Sequence, residues 1–336
     1  MTDKPIVIRP LLKWAGGKRQ LLPALRRYYP AGFNRYLEPF LGSGALFFDL
    51  YAAGRLDSRR VRLADANPDL IGCYRTVRDD ADAVIEVLAA LEQEHRADGG
   101  ACYYDVRDRR FNPARALLPG NAAASSYTPD LAAMLIYLNR TGYNGLFRLN
   151  RRGGFNVPAG RYAEPRICDA GHVRAVARAL SAAGVTLECG PFEDVLAEAR
   201  AGDFIYCDPP YAPLSRTANF ANYTTGGFGA LDQTRLQKAV IDAARRGAFV
   251  LMSNSSAPEV ETAYASRAAR LAGLEVRRVA ARRAINSRAA LRGPVDELII
   301  TNASAQAGRK LNMAKGRLRG HHPQQRAATR TGEGQM

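Results

Sequence analysis

Asp203-Phe204-Ile205-Tyr206-Cys207-Asp208-Pro209-Pro210-Tyr211 combines an apolar run with a carboxylate, two prolines and an aromatic ring. The apolar run is typical of a buried strand, and consecutive prolines cannot continue inside a central strand because they lack backbone donors. We therefore expect Asp208 and Tyr211 just beyond the carboxyl end of the strand, where open parallel sheets bind ligands. The structural alternative is a rigid turn with a surface Asp and a packed Tyr.

Strand-like and helix-like patterns alternate along most of the chain. Helical patterns, with apolar residues at three- and four-residue spacing, cover 18–28, 45–53, 68–91, 170–182 and 232–245. The alternation predicts an α/β fold with a doubly wound, mostly parallel, Rossmann-like sheet. The strand candidates are 35–40, 61–65, 185–189, 204–207, 249–253, 274–279 and 297–301.

The alternation breaks between about residues 93 and 166, where polar, aromatic and glycine-rich sequence replaces it. Insertions of this length are usually functional. Asn144-Gly145 is a tight-turn signal, so we predict an inserted, mainly helical module that carries a β-hairpin. Residues 1–92 and 167–303 then form the catalytic domain, and residues 304–336 form a disordered basic tail.

The chain carries a net charge of +16 over 336 residues, which favours a polyanionic partner such as nucleic acid. Solvated arginines on an ordinary enzyme would give a similar balance. Its five cysteines form no Cys-x-x-Cys pair and, with only four histidines, offer no zinc spacing, so we expect no metal. No apolar stretch is long enough to span a membrane, and no secretion signal is evident, so a cytoplasmic protein is expected.

Two further motifs have the character of a ligand site. Leu41-Gly42-Ser43-Gly44 follows the first predicted strand, and its glycines allow a sharp turn and close approach of a ligand. Asp65 ends the second strand, where a carboxylate can accept hydrogen bonds from ribose hydroxyls. A generic strand-to-helix turn and a helix N-cap are the alternative interpretations.

The only tryptophan lies in Lys13-Trp14-Ala15-Gly16-Gly17-Lys18. The spacing does not fit a phosphate-binding loop, which would need a different glycine pattern and a Ser or Thr after the lysine. Trp14 could cover a ligand and Lys18 could meet a carboxylate. A buried Trp beside a Lys that starts a helix is the alternative.

Taken in this order, the motifs resemble those of the Dam-type (D12 class) site-specific DNA adenine-N6 methyltransferases, over nearly all of residues 11–302. The resemblance implies S-adenosylmethionine as the methyl donor and double-stranded DNA as the substrate. Asp208, Pro209, Pro210 and Tyr211 would be catalytic. The implied donor contacts are Trp14, Lys18, Glu38, Phe40, Gly42, Gly44, Asp65, Asp194 and Asp208.

The inserted module resembles the DNA-reading hairpin of the same family. Arg148 can donate two hydrogen bonds to guanine, whereas the other arginines are expected to hold phosphates. Asn144, Leu146, Arg148 and Pro158 point to GATC, although the sequence departs from the family pattern around Phe147 and in the arginine-rich turn. The full set of expected DNA contacts is Arg140, Asn144, Leu146, Arg148, Arg151, Arg152, Pro158 and Arg161.

The expected reaction is methyl transfer to an adenine extruded from the duplex. Asp208 and the Pro209 carbonyl would accept hydrogen bonds from N6, Tyr211 would stack on the base, and the enzyme would act as a monomer, without a metal. Alternatives are an RNA adenine or DNA cytosine-N4 methyltransferase, and a DNA-binding regulator that has lost activity on the same fold. The complete donor motifs argue against the last of these.

Overall fold

A computed structural model describes residues 8–14, 16–120, 123–211, 228–282 and 294–305. A seven-stranded sheet has the order β3-β2-β1-β4-β5-β7-β6, in which β1 to β5 are parallel and β7 runs antiparallel to both of its neighbours. This confirms the mostly parallel, Rossmann-like sheet. The strands are β1 (Tyr36–Glu38), β2 (Val61–Asp65), β3 (Val185–Cys189), β4 (Phe204–Cys207), β5 (Phe249–Ser255), β6 (Glu275–Arg282) and β7 (Pro294–Thr301).

Helices follow most strands in the described chain. They are α1 (Leu22–Leu25), α2 (Ala45–Ala52), α3 (Pro68–Asp79), α4 (Ala81–Ala97), α5 (Gly99–Asp105), α6 (Asn112–Ala116), α7 (Pro129–Thr141), α8 (Ala170–Leu180), α9 (Phe192–Ala197), α10 (Ala230–Arg245), α11 (Pro258–Tyr264) and α12 (Arg267–Leu271). One π-helical turn, Val106–Phe111, joins α5 to α6.

Two expected helices are interrupted. The pattern over 68–91 is broken at Asp80, whose backbone is non-helical and whose side chain accepts a hydrogen bond from the Ala83 amide to cap α4. The pattern over 18–28 forms short 3₁₀ turns on either side of α1, where Pro23 lies in the first turn.

The sheet separates two hydrophobic cores because alternate strand residues face opposite sides. In β4, Phe204 and Tyr206 pack into one core, which also receives α1 to α5, α7 and α8. Ile205 and Cys207 pack into the other, with α9 to α12. Helices on both faces are what a doubly wound sheet requires.

Most of the region predicted as an inserted module packs on the first of these cores, through side chains such as Tyr103, Phe111 and Tyr137. Helix α4 continues past residue 93, where the boundary of the module was predicted. Two isolated antiparallel bridges, Gly142 with Ala159 and Leu149 with Phe155, join the arms of the expected hairpin. Except for residues 304 and 305, the predicted tail lies outside the described residues.

In the part of the chain that the structure describes, every helix is too short or too polar to cross a membrane.

Candidate active site

Three carboxylates meet at the carboxyl edge of the sheet. Glu38 ends β1, Asp65 ends β2, and Asp208 follows β4 directly. Strands β1 and β4 are hydrogen-bonded neighbours although they are distant in sequence, so the chain reverses its winding direction between them. Such a switch point is where open α/β sheets form their ligand crevice.

Asp208 is held by two side chains. Lys18 Nζ lies 2.9 Å from Asp208 Oδ1, as expected for a lysine that meets a carboxylate. Ser253 Oγ donates a hydrogen bond of 2.9 Å to the same oxygen and lies 2.9 Å from the Tyr206 hydroxyl. The first motif and β5 therefore fix the orientation of the Asp208 carboxylate, and Tyr206 in β4 orients Ser253.

The Lys18 cation and the burial of the site shift the pKa of Asp208 in opposite directions. Burial raises the pKa of the Asp208 carboxyl above its ordinary value, because the charged form loses water. Lys18 lowers the same pKa through its charge and its hydrogen bond, and Ser253 lowers it further. Lys18 is itself only 4% exposed, so its ammonium group depends on these partners.

Tyr211 is held by contacts with its ring and with its hydroxyl. Lys18 Nζ lies 4.5 Å from the centre of its ring, in cation–π geometry. The Tyr211 hydroxyl donates a hydrogen bond of 2.8 Å to Glu297 Oε2 in β7. Gln233 in α10 adds a bond of 3.2 Å to the Pro210 carbonyl, so the turn after β4 is tied to β7 and α10.

The glycine loop and Asp65 form one unit. Asp65 Oδ2 accepts the Gly42 amide at 3.0 Å, and Oδ1 accepts the Asn67 amide at 2.9 Å. Burial raises the pKa of Asp65 to about 6, against the effect of these two bonds. The carboxylate therefore stabilises the loop, and its remaining lone pairs can still accept hydroxyl protons.

The same loop has the properties expected of a cradle for a nucleoside-type donor. Gly42 has φ +47°, and a Cβ there would lie 3.1 Å from Trp14 Cδ1. Gly44 begins α2 with φ +67° and no side-chain cap. The buried Asn67 Nδ2 has no hydrogen-bond partner among the described residues. These features fit S-adenosylmethionine, because a buried amide without a partner at such a loop is suited to a polar ligand.

The other expected donor contacts border this loop. Glu38 is 1% exposed and accepts a hydrogen bond of 2.8 Å from the Tyr36 hydroxyl. Burial raises the pKa of Glu38 well above its usual range. Phe40 stacks on Phe192 with ring centres 5.3 Å apart. Asp194 is exposed in the first turn of α9, beyond the carboxyl end of β3.

Trp14 connects the donor loop to the hairpin. Its ring is half-buried and stacks on Phe147, with centres 5.5 Å apart. Asn139, at the end of α7, donates to the Lys13 carbonyl at 2.7 Å and the Gly145 carbonyl at 2.9 Å, and accepts the Lys13 amide at 2.8 Å. The first motif is thus bonded to the inserted module as well as to Asp208.

The expected DNA contacts lie within residues 140–161, and most of their side chains are exposed. Leu146 and Arg140 are half-buried, and the Arg140 guanidinium donates to the Arg166 carbonyl at 2.9 Å. Arg148 donates from Nε to Asn156 Oδ1 at 2.8 Å, which fixes its direction. The exposed members are Asn144, Arg148, Arg151, Arg152, Pro158 and Arg161.

Asn144-Gly145 forms a tight turn, with φ of +54° and +63°, but not the tip of the hairpin. The tip lies at 150–154, where the Asn150 amide donates to the Gly154 carbonyl. Phe147, where the sequence departs from the family pattern, is buried at 3% exposure and packs inward on Trp14. The departure at Phe147 therefore lies in the support of the hairpin, whereas the departure in the arginine-rich turn lies on its exposed face.

Three side chains of the site were missed in the sequence. Ser253 lies in β5 and Glu297 lies in β7, which neighbours β5, so only the sheet order reveals their nearness to the turn after β4. The available signal for Ser253 was a polar run at the end of a predicted parallel strand, Ser253-Asn254-Ser255. Asn139 carries no signal of its own, since Asn at a helix end usually caps it.

A family model and two curated relatives match most of the chain, and all three are described as methyltransferases. A family model described as D12 class N6 adenine-specific DNA methyltransferase matches residues 14–283. The chain is 36% identical over 297 residues to the Type II methyltransferase M1.LlaDCHI of Lactococcus lactis subsp. cremoris, which covers 88% of this chain and 96% of that protein. It is 36% identical over 294 residues to a DNA adenine methylase of Vibrio cholerae serotype O1, with 87% and 95% covered.

The ion pair predicts the titration of Asp208. Replacing Lys18 by Met removes the cation that lowers the Asp208 pKa, while burial continues to raise it, so the titration midpoint should move to higher pH. Carboxyl-¹³C aspartate NMR measures this midpoint, and the spectrum of Asp208→Asn assigns the resonance. Lys238→Met, at an exposed position of α10, is the matched control and should leave the midpoint unchanged. An unmoved midpoint in Lys18→Met would show that the ion pair is absent in solution.

Proposed function

Since the chain belongs to the D12 class of N6 adenine-specific DNA methyltransferases, we propose that it transfers a methyl group from S-adenosylmethionine to N6 of an adenine within a short double-stranded DNA site. The observation that carries the proposal is the Asp208 carboxylate, held by Lys18 and Ser253 beside the Gly42 to Asp65 loop. A group that binds an exocyclic amine thus lies next to a cradle for the donor.

The donor is assigned to the nine residues named from the sequence. Gly42, Gly44 and Asp65 supply the loop and the carboxylate for the ribose, with Asn67 as a further amide. Trp14 borders the loop at Gly42. When bound, the donor supplies an activated methyl group on a sulfonium that is its own leaving group, so the protein needs neither a metal nor a covalent nucleophile. The task of the protein is to position the reactants.

Asp208 and Pro209 are assigned to the adenine amine. The N6 lone pair is delocalised into the ring, so N6 is a poor nucleophile until its geometry changes. Lys18 and Ser253 both contact Oδ1, and we assign Oδ2 to accept one N6 hydrogen. The Pro209 carbonyl, fixed in direction by the proline ring, accepts the other. The lone pair is then directed towards the methyl group, and the proton lost after transfer goes to solvent.

Tyr211 is assigned to the face of the base. Its ring is fixed by Lys18 and Glu297, so it offers a rigid stacking surface. Base–aromatic stacking of this kind is worth about 1–3 kcal/mol. That energy helps to offset the cost of extruding the adenine from the duplex, which is on the order of a few kcal/mol.

Side chains of the hairpin are assigned to contacts with the bases and phosphates of the DNA site. Arg148 is exposed and oriented by Asn156, so its guanidinium can present two donors to the acceptor edge of guanine. Arg151 and Arg152 are exposed at the tip, where they can meet phosphates. Arg148, Asn144, Leu146 and Pro158 together support GATC as the proposed site. A single copy of the chain carries every assigned group, so we propose a monomer.

The direct test is methyl transfer by the purified protein. Labelled S-adenosylmethionine and unmethylated double-stranded DNA should give labelled adenine, and sequencing that detects N6-methyladenine should place every label in one short motif. Label that enters only cytosine, or only structured RNA, would instead support those acceptors. Duplex binding without uptake of the donor would indicate a regulator that has lost activity.

Replacing Asp208 by Asn should lower the single-turnover rate of methyl transfer at least about 100-fold, because a fixed charged acceptor aimed at the reacting amine is lost. Duplex affinity should change little, since the phosphate contacts lie elsewhere. Asp57→Asn, exposed in the loop that precedes β2 at the opposite edge of the sheet, is the matched control and should keep the full rate. A variant at Asp208 that retained most of its rate would refute the assigned role.

Replacing Arg148 by Ala should reduce discrimination against a duplex altered at the guanine by about tenfold or more, because a bidentate contact with one base is removed. The measurement compares kcat/KM on the preferred and altered duplexes. Arg174→Ala, which removes an exposed arginine of α8, controls for the loss of one positive charge. Equal losses on both duplexes would identify Arg148 as a phosphate contact instead.

A further inference from the structure

The second arm of the hairpin, residues 153–157, leaves the tip at Gly153 and presents two hydrogen-bonding edges. One edge faces the first arm, where the Asn150 amide donates to the Gly154 carbonyl at 2.8 Å and the Asn156 amide donates to the Arg148 carbonyl at 3.1 Å. Successive residues of an extended chain alternate in direction. The Gly153 carbonyl, both backbone groups of Phe155 and the Val157 carbonyl point the other way and need other partners.

Side chains of the π-helical turn and its two flanking helices supply those partners. Asn112 accepts the Phe155 amide at 2.8 Å and donates to the Phe155 carbonyl at 3.0 Å, which reproduces both bonds of a neighbouring strand. The Val157 carbonyl accepts from the Tyr103 hydroxyl at 2.9 Å and from Arg107 at 3.0 Å. The Gly153 carbonyl accepts from Arg115. We name this set the side-chain ladder: Tyr103, Arg107, Asn112 and Arg115.

The π-helical turn is what places the side-chain ladder on one stripe. Arg107 and Asn112 are five residues apart, a spacing that in an α-helix would separate them by about 140° around the axis. In a π-helix, residues five apart lie one turn above each other. The turn Val106–Phe111 therefore brings Asn112, with Arg115 one turn further on, into line with Arg107 and Tyr103.

The side-chain ladder is also bonded to α3, the helix that follows the donor loop and β2. Arg115 Nε lies 2.7 Å from Asp69 Oδ1 and 2.9 Å from Oδ2. The Asp69 side chain is only 3% exposed and lies in the first turn of α3, two residues after Asn67. The backbone amide of Asn67 in turn donates a hydrogen bond to the Asp65 side chain, which holds the donor loop. The tip of the hairpin is thus connected through one arginine to the loop that we assign to the methyl donor.

We propose that the side-chain ladder acts as the third strand of the recognition hairpin and sets the register of its second arm. The four residues are positioning residues, and their effect on base discrimination rests on the DNA-reading role proposed above. A slip of one residue would reverse the direction of every side chain on the arm. With the edge occupied by Asn112 and its neighbours, Asn156 stays where it orients Arg148, and Pro158 stays on the exposed face.

The first measurement is hydrogen exchange of the amides in residues 148–157, without DNA. Asn112→Ala removes the acceptor of the Phe155 amide and should speed exchange in this segment by about tenfold or more. Arg115→Met is made together with Asp69→Asn, because a buried carboxylate without its partner would destabilise the whole fold. Asp69→Asn alone is the reference for the double variant, because the two proteins differ only at Arg115 and their difference in exchange reports the Arg115 contact with the Gly153 carbonyl.

The second measurement is the ratio of kcat/KM on the preferred duplex to that on a duplex altered at one base. This ratio is independent of the fraction of folded enzyme, so a purely structural defect leaves it unchanged. Asn112→Ala and the double variant should lower it by about tenfold or more. Arg109→Met, an 84% exposed arginine of the same π-helical turn, controls for lost charge and should keep the wild-type ratio.

Each outcome decides the proposal. Faster exchange together with a lower ratio supports it, whereas unchanged exchange, or equal loss of rate on both duplexes, overturns it. A wild-type protein that transferred no methyl group would overturn the proposed function. Exchange would still show, in that case, whether the side-chain ladder holds the hairpin.

Discussion

The ion pair between the buried Lys18 and the half-buried Asp208 is the contact on which the arrangement of the site depends. Removing two charges from water is costly, and such a pair is retained only where its geometry is good and further hydrogen bonds satisfy both groups. Ser253 supplies one of these bonds and the ring of Tyr211 supplies a second partner for the ammonium. The first motif and strands β4, β5 and β7 therefore converge on one point, and the turn after β4 has little freedom to change.

The fold was predictable because its strands follow simple rules. β4 is a continuous apolar run buried on both faces, β2 and β3 alternate apolar with polar residues, and the bounds predicted for all three agree with those observed. The break between α3 and α4 was not predictable, because the apolar spacing continues on both sides of Asp80 and only its capping bond to Ala83 ends one helix and starts the next. A local hydrogen bond of this kind leaves no periodic signal.

The site was predictable where its residues lie in contiguous motifs and not where neighbouring strands contribute. Asp208 and Lys18 stand in two such motifs, and the sequence predicted that Lys18 meets a carboxylate without saying which one. Ser253 and Glu297 join them only because β5 and β7 follow β4 in the order of the sheet. The partners of the hairpin were hidden for a different reason. Their spacing is irregular, and it gives a common stripe only when one turn of the helix is π-helical.

The first motif supports two parts of the molecule that must act together. Trp14 borders Gly42 in the donor loop and stacks on Phe147 in the hairpin. Phe147 continues through Phe155 to Phe111 in the π-helical turn, with ring centres 5.7 and 5.9 Å apart. Because the phenylalanine rings are buried while Arg148, Arg151 and Arg152 are exposed, substitutions of these arginines leave the aromatic support intact. Substitutions in the aromatic chain would disturb both the hairpin and the loop at Gly42, since the same rings contact the two.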